Sequence, residues 1–333
     1  MASNEIHGGE VLIFGDLHFS DVYTGKHKDY LSNCCTVLNQ LEVIVKERKP
    51  SACVLLGDLV GWNETNIKSR EVFAMFCGVW RRISDICTIY AVRGNHDMRG
   101  YPDFNFLMDL GLIQVPNHLD YYSKDGKHLA RFHMIGYGCE HNPLDYAPEG
   151  VSNVVLGHNN YTISGCTTWY ADHDGIEVNT LSNYCGIELI VSGHIHAPSP
   201  ELYATTMPDG SNCCLFYLGC PTRPQRETYD ACWYMGFYES VEDNECVVDY
   251  ETYFWELAKC SEIYYEDEEF INEKTEDELA ESIRKENLAN VLQDIIKYRM
   301  YSGDPREQIK NIPDAKPEAV KTACEYLDIV MRG

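Results

Sequence analysis

The sequence predicts an α/β protein, and two observations carry that prediction. Short runs of wholly apolar, β-rich residues alternate with longer stretches of helical period. The runs stop, directly or within one residue, at a glycine followed by a metal-binding side chain. Val11–Phe14 stops at Gly15-Asp16, Cys53–Leu56 at Gly57-Asp58, and Thr88–Val92 just before Gly94-Asn95. Runs that are apolar on both faces suit strands covered on both sides. Tyr30–Arg48, with Leu31, Val37, Leu38, Leu41, Val43, Ile44 and Val45 among polar residues, reads as the helix of a strand–helix–strand crossover. A second helix is expected over Ser69–Ile83, where Val72, Phe73, Phe76, Val79 and Trp80 recur three and four apart.

Further strands are expected at Leu129–Gly136, Val151–Leu156, Ile187–Ser192, Cys213–Gly219, Cys232–Tyr238 and Cys246–Phe254. Together they suggest a two-layered sheet core flanked by helices. Domain boundaries are placed at residues 10–255 and 256–333. Glu262–Glu269 reads as an acidic linker. Thr275-Glu276-Asp277-Glu278 is a capping box opening an amphipathic helix that ends at Gly303-Asp304-Pro305. A last helix is expected over Pro317–Met331. Such a pair either packs on the main domain or docks a partner.

The chain has 333 residues, 15 cysteines and a net charge of −25. Residues 239–289 hold 18 acidic and 4 basic side chains. A chain this acidic repels nucleic acid at long range and gains little from counterion release. No cysteine pair is spaced C-x-x-C, and the polar start lacks a signal peptide, so reduced, mostly buried thiols in the cytoplasm are expected. No apolar run reaches the ~18 residues of a membrane span.

The chemistry lies in five motifs: Gly15-Asp16-Leu17-His18, Gly57-Asp58, Gly94-Asn95-His96-Asp97, Gly157-His158 and Gly193-His194-Ile195-His196. Two neighbouring divalent cations need a bridging carboxylate, and Asp58 at a strand end suits that task. One cation then takes Asp16, His18 and His196, and the other Asn95, His158 and His194. In an extended segment, residues two apart point the same way, which brings Asp16 with His18 and His194 with His196 to one side. Mixed N/O ligation suits manganese, iron or zinc, and the absence of thiolates favours Mn2+. Two cations about 3.5–4 Å apart lower the pKa of a bridging water and clamp phosphoryl oxygens. His96 is the candidate acid for the leaving group, with Asp97 orienting its ring. His7, His27, His118, His128, His133, His141 and His173 are expected in loops or at the surface, with His133 and His141 the two placed to reach the site from a loop.

The series resembles the calcineurin-like metallophosphoesterase superfamily over about residues 10–240. The resemblance implies a four-layer metallophosphoesterase sandwich, two mixed β-sheets flanked by helices, with a small helical C-terminal segment. Within that superfamily, Leu215-Phe216-Tyr217-Leu218-Gly219-Cys220-Pro221 and Trp233-Tyr234-Met235-Gly236-Phe237 look like a stretch of SbcD-type nucleases and phage recombination endonucleases. So does Gly157-His158-Asn159-Asn160 followed by Ile163-Ser164-Gly165. That branch implies Mn-dependent cleavage of DNA in recombination or repair, a homodimer formed through helices near the chain start, and an SMC-like SbcC-type ATPase bound by the C-terminal segment. Arg81, Arg82, Arg93, Arg99, Arg223 and Arg226 are the basic residues available near these motifs. Arg223 and Arg226 face either a phosphate backbone or surface carboxylates. The acidic charge favours the other reading, a stand-alone phosphodiesterase or phosphatase for a small nucleotide such as a cyclic nucleotide. A non-catalytic scaffold would lack a ligand, and none is missing.

Overall fold

The computed structural model describes residues 4–22, 27–61, 67–98, 102–139, 148, 150–163, 175–225, 227–242 and 244–265. The chain divides into units 1–265 and 266–333, and the second lies outside the described residues. The capping box and both C-terminal helices expected there are therefore outside them too.

In chain order the elements are β1 (Glu5–His7), β2 (Val11–Phe14), α1 (Tyr30–Arg48), β3 (Ala52–Leu55), α2 (Arg70–Ser84), β4 (Thr88–Ala91), α3 (Asn95–Met98) and α4 (Pro102–Asp109). Then follow β5 (His118–Tyr122), β6 (His128–Ile135), β7 (Ser152–Gly157), β8 (Tyr161–Thr162), β9 (Ile176–Glu177) and β10 (Leu189–Ser192). The last are β11 (Tyr203–Thr206), β12 (Asn212–Tyr217), β13 (Ala231–Glu242), β14 (Glu245–Glu256) and α5 (Cys260–Ile263).

Helix α1 starts where Asp29 accepts the Ser32 N–H at 2.9 Å and ends at Lys49, which is left-handed at φ 49°. Ser69 caps α2 by accepting the Val72 N–H at 3.3 Å. Buried Glu42 on α1 takes both guanidinium bonds of Arg82 on α2, at 2.7 and 2.8 Å, which fixes the two helices side by side.

Two mixed sheets make the centre. One runs β14-β13-β2-β3-β4, the other β1-β5-β6-β7-β10-β12-β11, and β8 pairs with β9 separately. Strands β2, β3 and β4 are mutually parallel, as are β6, β7, β10 and β12. Their facing sides share one core, in which Val11, Ile13, Val54 and Leu56 meet Phe132, Leu156, Val191 and Phe216. The outer face of the first sheet is covered by α1, α2 and α4 through Leu38, Leu41, Phe76, Trp80, Phe104 and Leu107. The outer face of the second sheet packs on Tyr161, Val178, Tyr184 and Ile187. Among the described residues that outer layer is built of the short β8–β9 pair, loops and two single-turn 3₁₀ helices, not of long helices. This is the layered mixed-sheet sandwich that the resemblance implied.

The expected long strands and helices appear close to their expected bounds. Strand β1, helix α4 and edge strand β11 had no clear sequence signal, being short or only partly buried. No helix among the described residues is long and apolar enough to cross a membrane.

Candidate dinuclear metal site

Every motif sits just past the carboxyl end of a parallel strand: β2, β3 and β4 in one sheet, β7 and β10 in the other. Because the sheets face each other, the five turns meet over their common end. Cross-bonds lock them there. Leu17 and His18 donate backbone N–H groups to Asp58 O at 3.2 and 2.7 Å, and Gly193 donates to Gly157 O at 3.0 Å. The two sheets are tied where the ring Nδ1 of His158 donates to Leu56 O at 2.5 Å.

The seven ligand candidates come together. His18 Nε2 lies 3.5 Å from Asp58 Oδ2, and His158 Nε2 lies 3.2 Å from the same oxygen. Asp58 therefore stands between the two halves. On one side His18 Nε2 and His196 Nε2 are 3.1 Å apart. On the other, Asn95 Oδ1 is 3.1 Å from both His158 Nε2 and His194 Nδ1. Asp16 is buried. Its Oδ2 accepts the His194 N–H at 2.8 Å, while Oδ1 has no hydrogen-bond partner among the described residues.

This donor set fits divalent cations on an electronic ground. His18 Nδ1 faces Gly61 O at 2.9 Å, and His196 Nδ1 faces Glu227 Oε1 at 3.0 Å. Both partners only accept, so each Nδ1 carries the hydrogen and each Nε2 presents a lone pair. The same argument puts a hydrogen on His158 Nδ1 and leaves its Nε2 facing the Asp58 and Asn95 oxygens, where a cation would take the place of a proton. Lone pairs converge on two small volumes, which is stable only with positive charge between them. Burial pulls His158 down, but Asp58 and Asp16 override it and raise the ring to about 10. Burial also raises Asp16, to about 6, and with the His158 charge lowers His194 to about 4. Asp58 is held well below the carboxylate range, because His158, His18 and His96 outweigh its burial.

The local backbone explains the glycines and the spacing. His18, Asp58 and His194 are left-handed at φ 43°, 46° and 73°. Each such position costs roughly 1–3 kcal/mol and persists only where its surroundings hold it. The Asp16-x-His18 and His194-x-His196 pairs are thus presented by tight turns, not by the extended segments that the alternation argument assumed. A Cβ on Gly94 would lie 2.0 Å from Asp58 Oδ1, and one on Gly193 would lie 2.2 Å from Asp16 Oδ1. The glycines leave room for the carboxylates that the motifs carry.

Two further candidates divide. His96 sits beside the centre: its N–H donates to Asp58 Oδ1 at 2.8 Å and its ring packs edge-on against His18 at 4.9 Å. Asp97 does something other than orient that ring. Its Oδ1 accepts Leu59 N–H at 3.1 Å and its Oδ2 accepts Gly94 N–H at 2.9 Å. Neighbours on the single turn α3 do not face each other, so the carboxyl group pins the β3 and β4 turns together. Burial, with Asp58 nearby, raises it to about 8.

Other expectations are corrected. Arg223 is fully buried, donating to Tyr229 O at 2.7 Å and Ala258 O at 2.6 Å and lying 3.6 Å from the exposed Asp230 carboxylate, so of its two expected roles it faces a carboxylate, not a phosphate backbone. Arg82 is engaged by Glu42, and Arg93 by Asn105 at 3.0 Å. Arg99 and Arg226 lie outside the described residues, as do His141 and His173. His133 bonds Asn153 at 3.1 Å, away from the site, and His27 is a core residue rather than a surface one.

Sequence reasoning missed three neighbours of the centre. Glu227 backs His196. Tyr137, half-exposed, lies with its ring 5.3 Å from that of His194. Buried Cys220 stands with its sulfur within 4.8 Å of the His18 and His196 nitrogens, a soft donor where none was expected. No motif marks Glu227 or Tyr137, and Cys220 was read only as part of the Gly219-Cys220-Pro221 stretch, because each reaches the site from a turn remote in sequence from the ligands.

The calcineurin-like phosphoesterase family model matches residues 9–198, which includes all five motifs. The chain belongs to that family. It is a metal-dependent phosphoesterase, and the family's divalent cations find fitting donors in the His and Asp groups described above. No curated protein matches this phosphoesterase in sequence. Among solved structures, it is similar to a nuclease MPE from Pseudomonas putida at 12% identity and a TM-score of 0.28, covering 72% of this chain and 87% of that one.

Proposed function

We propose that this phosphoesterase is a two-metal phosphodiester hydrolase that cuts DNA as the nuclease subunit of a recombination or repair complex. The observation that carries the hydrolase reading is the convergence of His18 and His196 on one side of Asp58 and of Asn95, His158 and His194 on the other, with buried Asp16 beside His158 and His194. Asp16, His18 and His196 would hold one cation, Asn95, His158 and His194 the other, and Asp58 both. When bound, the pair supplies an activated water and neutralises phosphoryl oxygens. The chain's own residues do the rest. His96, beside Asp58 but half-exposed, is placed to give a proton to the leaving oxygen. Asp97 holds the two turns that carry Asp58 and Asn95. Mn2+ is the proposed metal, from the predominance of imidazole and oxygen donors.

The DNA assignment rests on the Leu215–Pro221 and Trp233–Phe237 stretches and their resemblance to SbcD-type nucleases. Strands β12 and β13 sit in different sheets, and the turn between them reaches the site at Cys220. Under this reading the docking segment for an SMC-like ATPase lies within residues 256–333, and the chain works as a cytoplasmic homodimer. A second reading, hydrolysis of a small nucleotide, is favoured by the charge of −25 and by the internal pairing of Arg82, Arg93 and Arg223. One experiment separates them. Purified chain in Mn2+, with and without its ATPase, is expected to release nucleotides from linear DNA. Hydrolysis of cyclic nucleotides with DNA left intact would establish the second reading instead.

A further inference from the structure

The turn between β12 and β13 is built around side chains that the five motifs do not contain. Arg223, left-handed at φ 49° and fully buried, uses its guanidinium to hold Tyr229 O and Ala258 O. His27, packed between the rings of Tyr30 and Tyr264 at 4.7 and 4.6 Å, donates to Arg223 O at 2.6 Å. Tyr264 forms an isolated antiparallel bridge with His27, and its hydroxyl lies 2.7 Å from Arg223 O and in contact with Gln225 O. This framework delivers one group to the metal site. Glu227 Oε1 lies 3.0 Å from His196 Nδ1, and Glu227 Oε2 lies 3.0 Å from the Tyr264 hydroxyl. The Glu227 N–H also reaches that hydroxyl, at 3.4 Å.

A carboxylate has no hydrogen to give, so Glu227 obliges His196 to carry its hydrogen on Nδ1. The Nε2 lone pair then faces His18 Nε2, 3.1 Å away. A metal-ligating imidazole needs such a partner to fix its tautomer and ring angle. The partner must itself be placed, and here the Tyr264 hydroxyl does so, its one hydrogen shared among Arg223 O, Gln225 O and Glu227 Oε2.

We propose that Glu227, held by Tyr264, is the positioning residue for His196, fixing the tautomer and aim with which that imidazole meets the cation of the His18 half. The proposal rests on the two-metal reading. It assigns to the β12–β13 turn and to the chain segment at Tyr264 a direct part in metal affinity. The other half of the site lies outside this relay, because His158 is fixed by a backbone carbonyl.

The test is titration of the full chain, stripped with chelator, by Mn2+ alone in a calorimeter. Wild type is expected to take up two ions. Glu227→Ala is expected to weaken one of the two by about 10–100-fold and leave the other unchanged. Glu227→Gln keeps an acceptor oxygen and should recover part of that loss, while Tyr264→Phe should weaken the same ion by about tenfold. Melting of the metal-free proteins reports folding separately, and the near-isosteric Gln and Phe variants carry the test if Glu227→Ala does not fold. Wild-type affinity for both ions in Glu227→Gln and Tyr264→Phe would overturn the positioning role. Failure of wild type itself to bind two ions would overturn the two-metal reading.

Discussion

His18 and His196, on one side of Asp58, are aimed by loops, whereas His158 and His194, on the other, are aimed by strand ends. The His18 ring is fixed by Gly61 O and the His196 ring by Glu227, and the turn carrying Glu227 also brings Cys220 to their side. The His158 ring is fixed by Leu56 O at the end of β3, and the His194 backbone by the Asp16 carboxylate just past β2. Sheet ends are rigid because their neighbours are hydrogen-bonded and packed on both faces. Loops can change side chain without disturbing the core. The strand-end half is therefore the fixed part of the site, and the loop half is the part whose side chains can change without disturbing the core.

The largest expected effect comes from the residue that the halves share. Asp58→Asn should abolish detectable binding of both ions and lower phosphodiesterase turnover by about three orders of magnitude or more, on the order of 4 kcal/mol in the barrier. Loss of one ion alone, read by metal analysis, would break the claim that Asp58 serves both halves. His96→Ala should retain two ions and lose about 10²–10⁴-fold in turnover. A wild-type rate would remove His96 from the mechanism.

Smaller effects probe each half separately. Gly94→Ala would place its Cβ 2.3 Å from the Asp58 backbone N as well as against its carboxylate. That overpacking should cost about 1–3 kcal/mol in denaturant unfolding and weaken both ions. Gly78→Ala is its control: on α2 the added Cβ meets nothing closer than Arg82 Nη1 at 3.6 Å. It should stabilise by about 0.5–1 kcal/mol with metal binding unchanged. Cys220→Ser should have the least effect on folding but lower the preference for Zn2+ over Mn2+ at one ion, read by competitive titration. An unchanged preference would show that the thiol does not tune the loop half.

The site was legible in the sequence to the extent that it is local. Gly57-Asp58, Gly94-Asn95 and Gly193-His194 each join a strand end, a turn glycine and a donor within a few residues, so the spacing itself records the chemistry. Asp97 shows the limit of that argument. Adjacent to His96 in sequence, it reads as a partner for that ring, yet the helical turn directs it to the amides of Leu59 and Gly94. Arg223 shows the limit for charge: a basic residue in a polar stretch reads as surface, but the carbonyls of Tyr229 and Ala258 draw it inward.

By itself, then, the sequence determined the strand–helix order, the five ligand-bearing turns and the reaction class they serve. Periodicity and strand-end glycines are local properties, and a linear chain displays them directly. Only the tertiary structure decided that Glu227, Tyr264, Tyr137 and Cys220 belong to the site, and that Asp97 and Arg223 serve as internal braces. Those assignments depend on which turns meet when two sheets pack face to face. Turns brought together across 31 to 43 residues, as with Glu227 and His196 or Gly61 and His18, leave no pattern in the sequence between them.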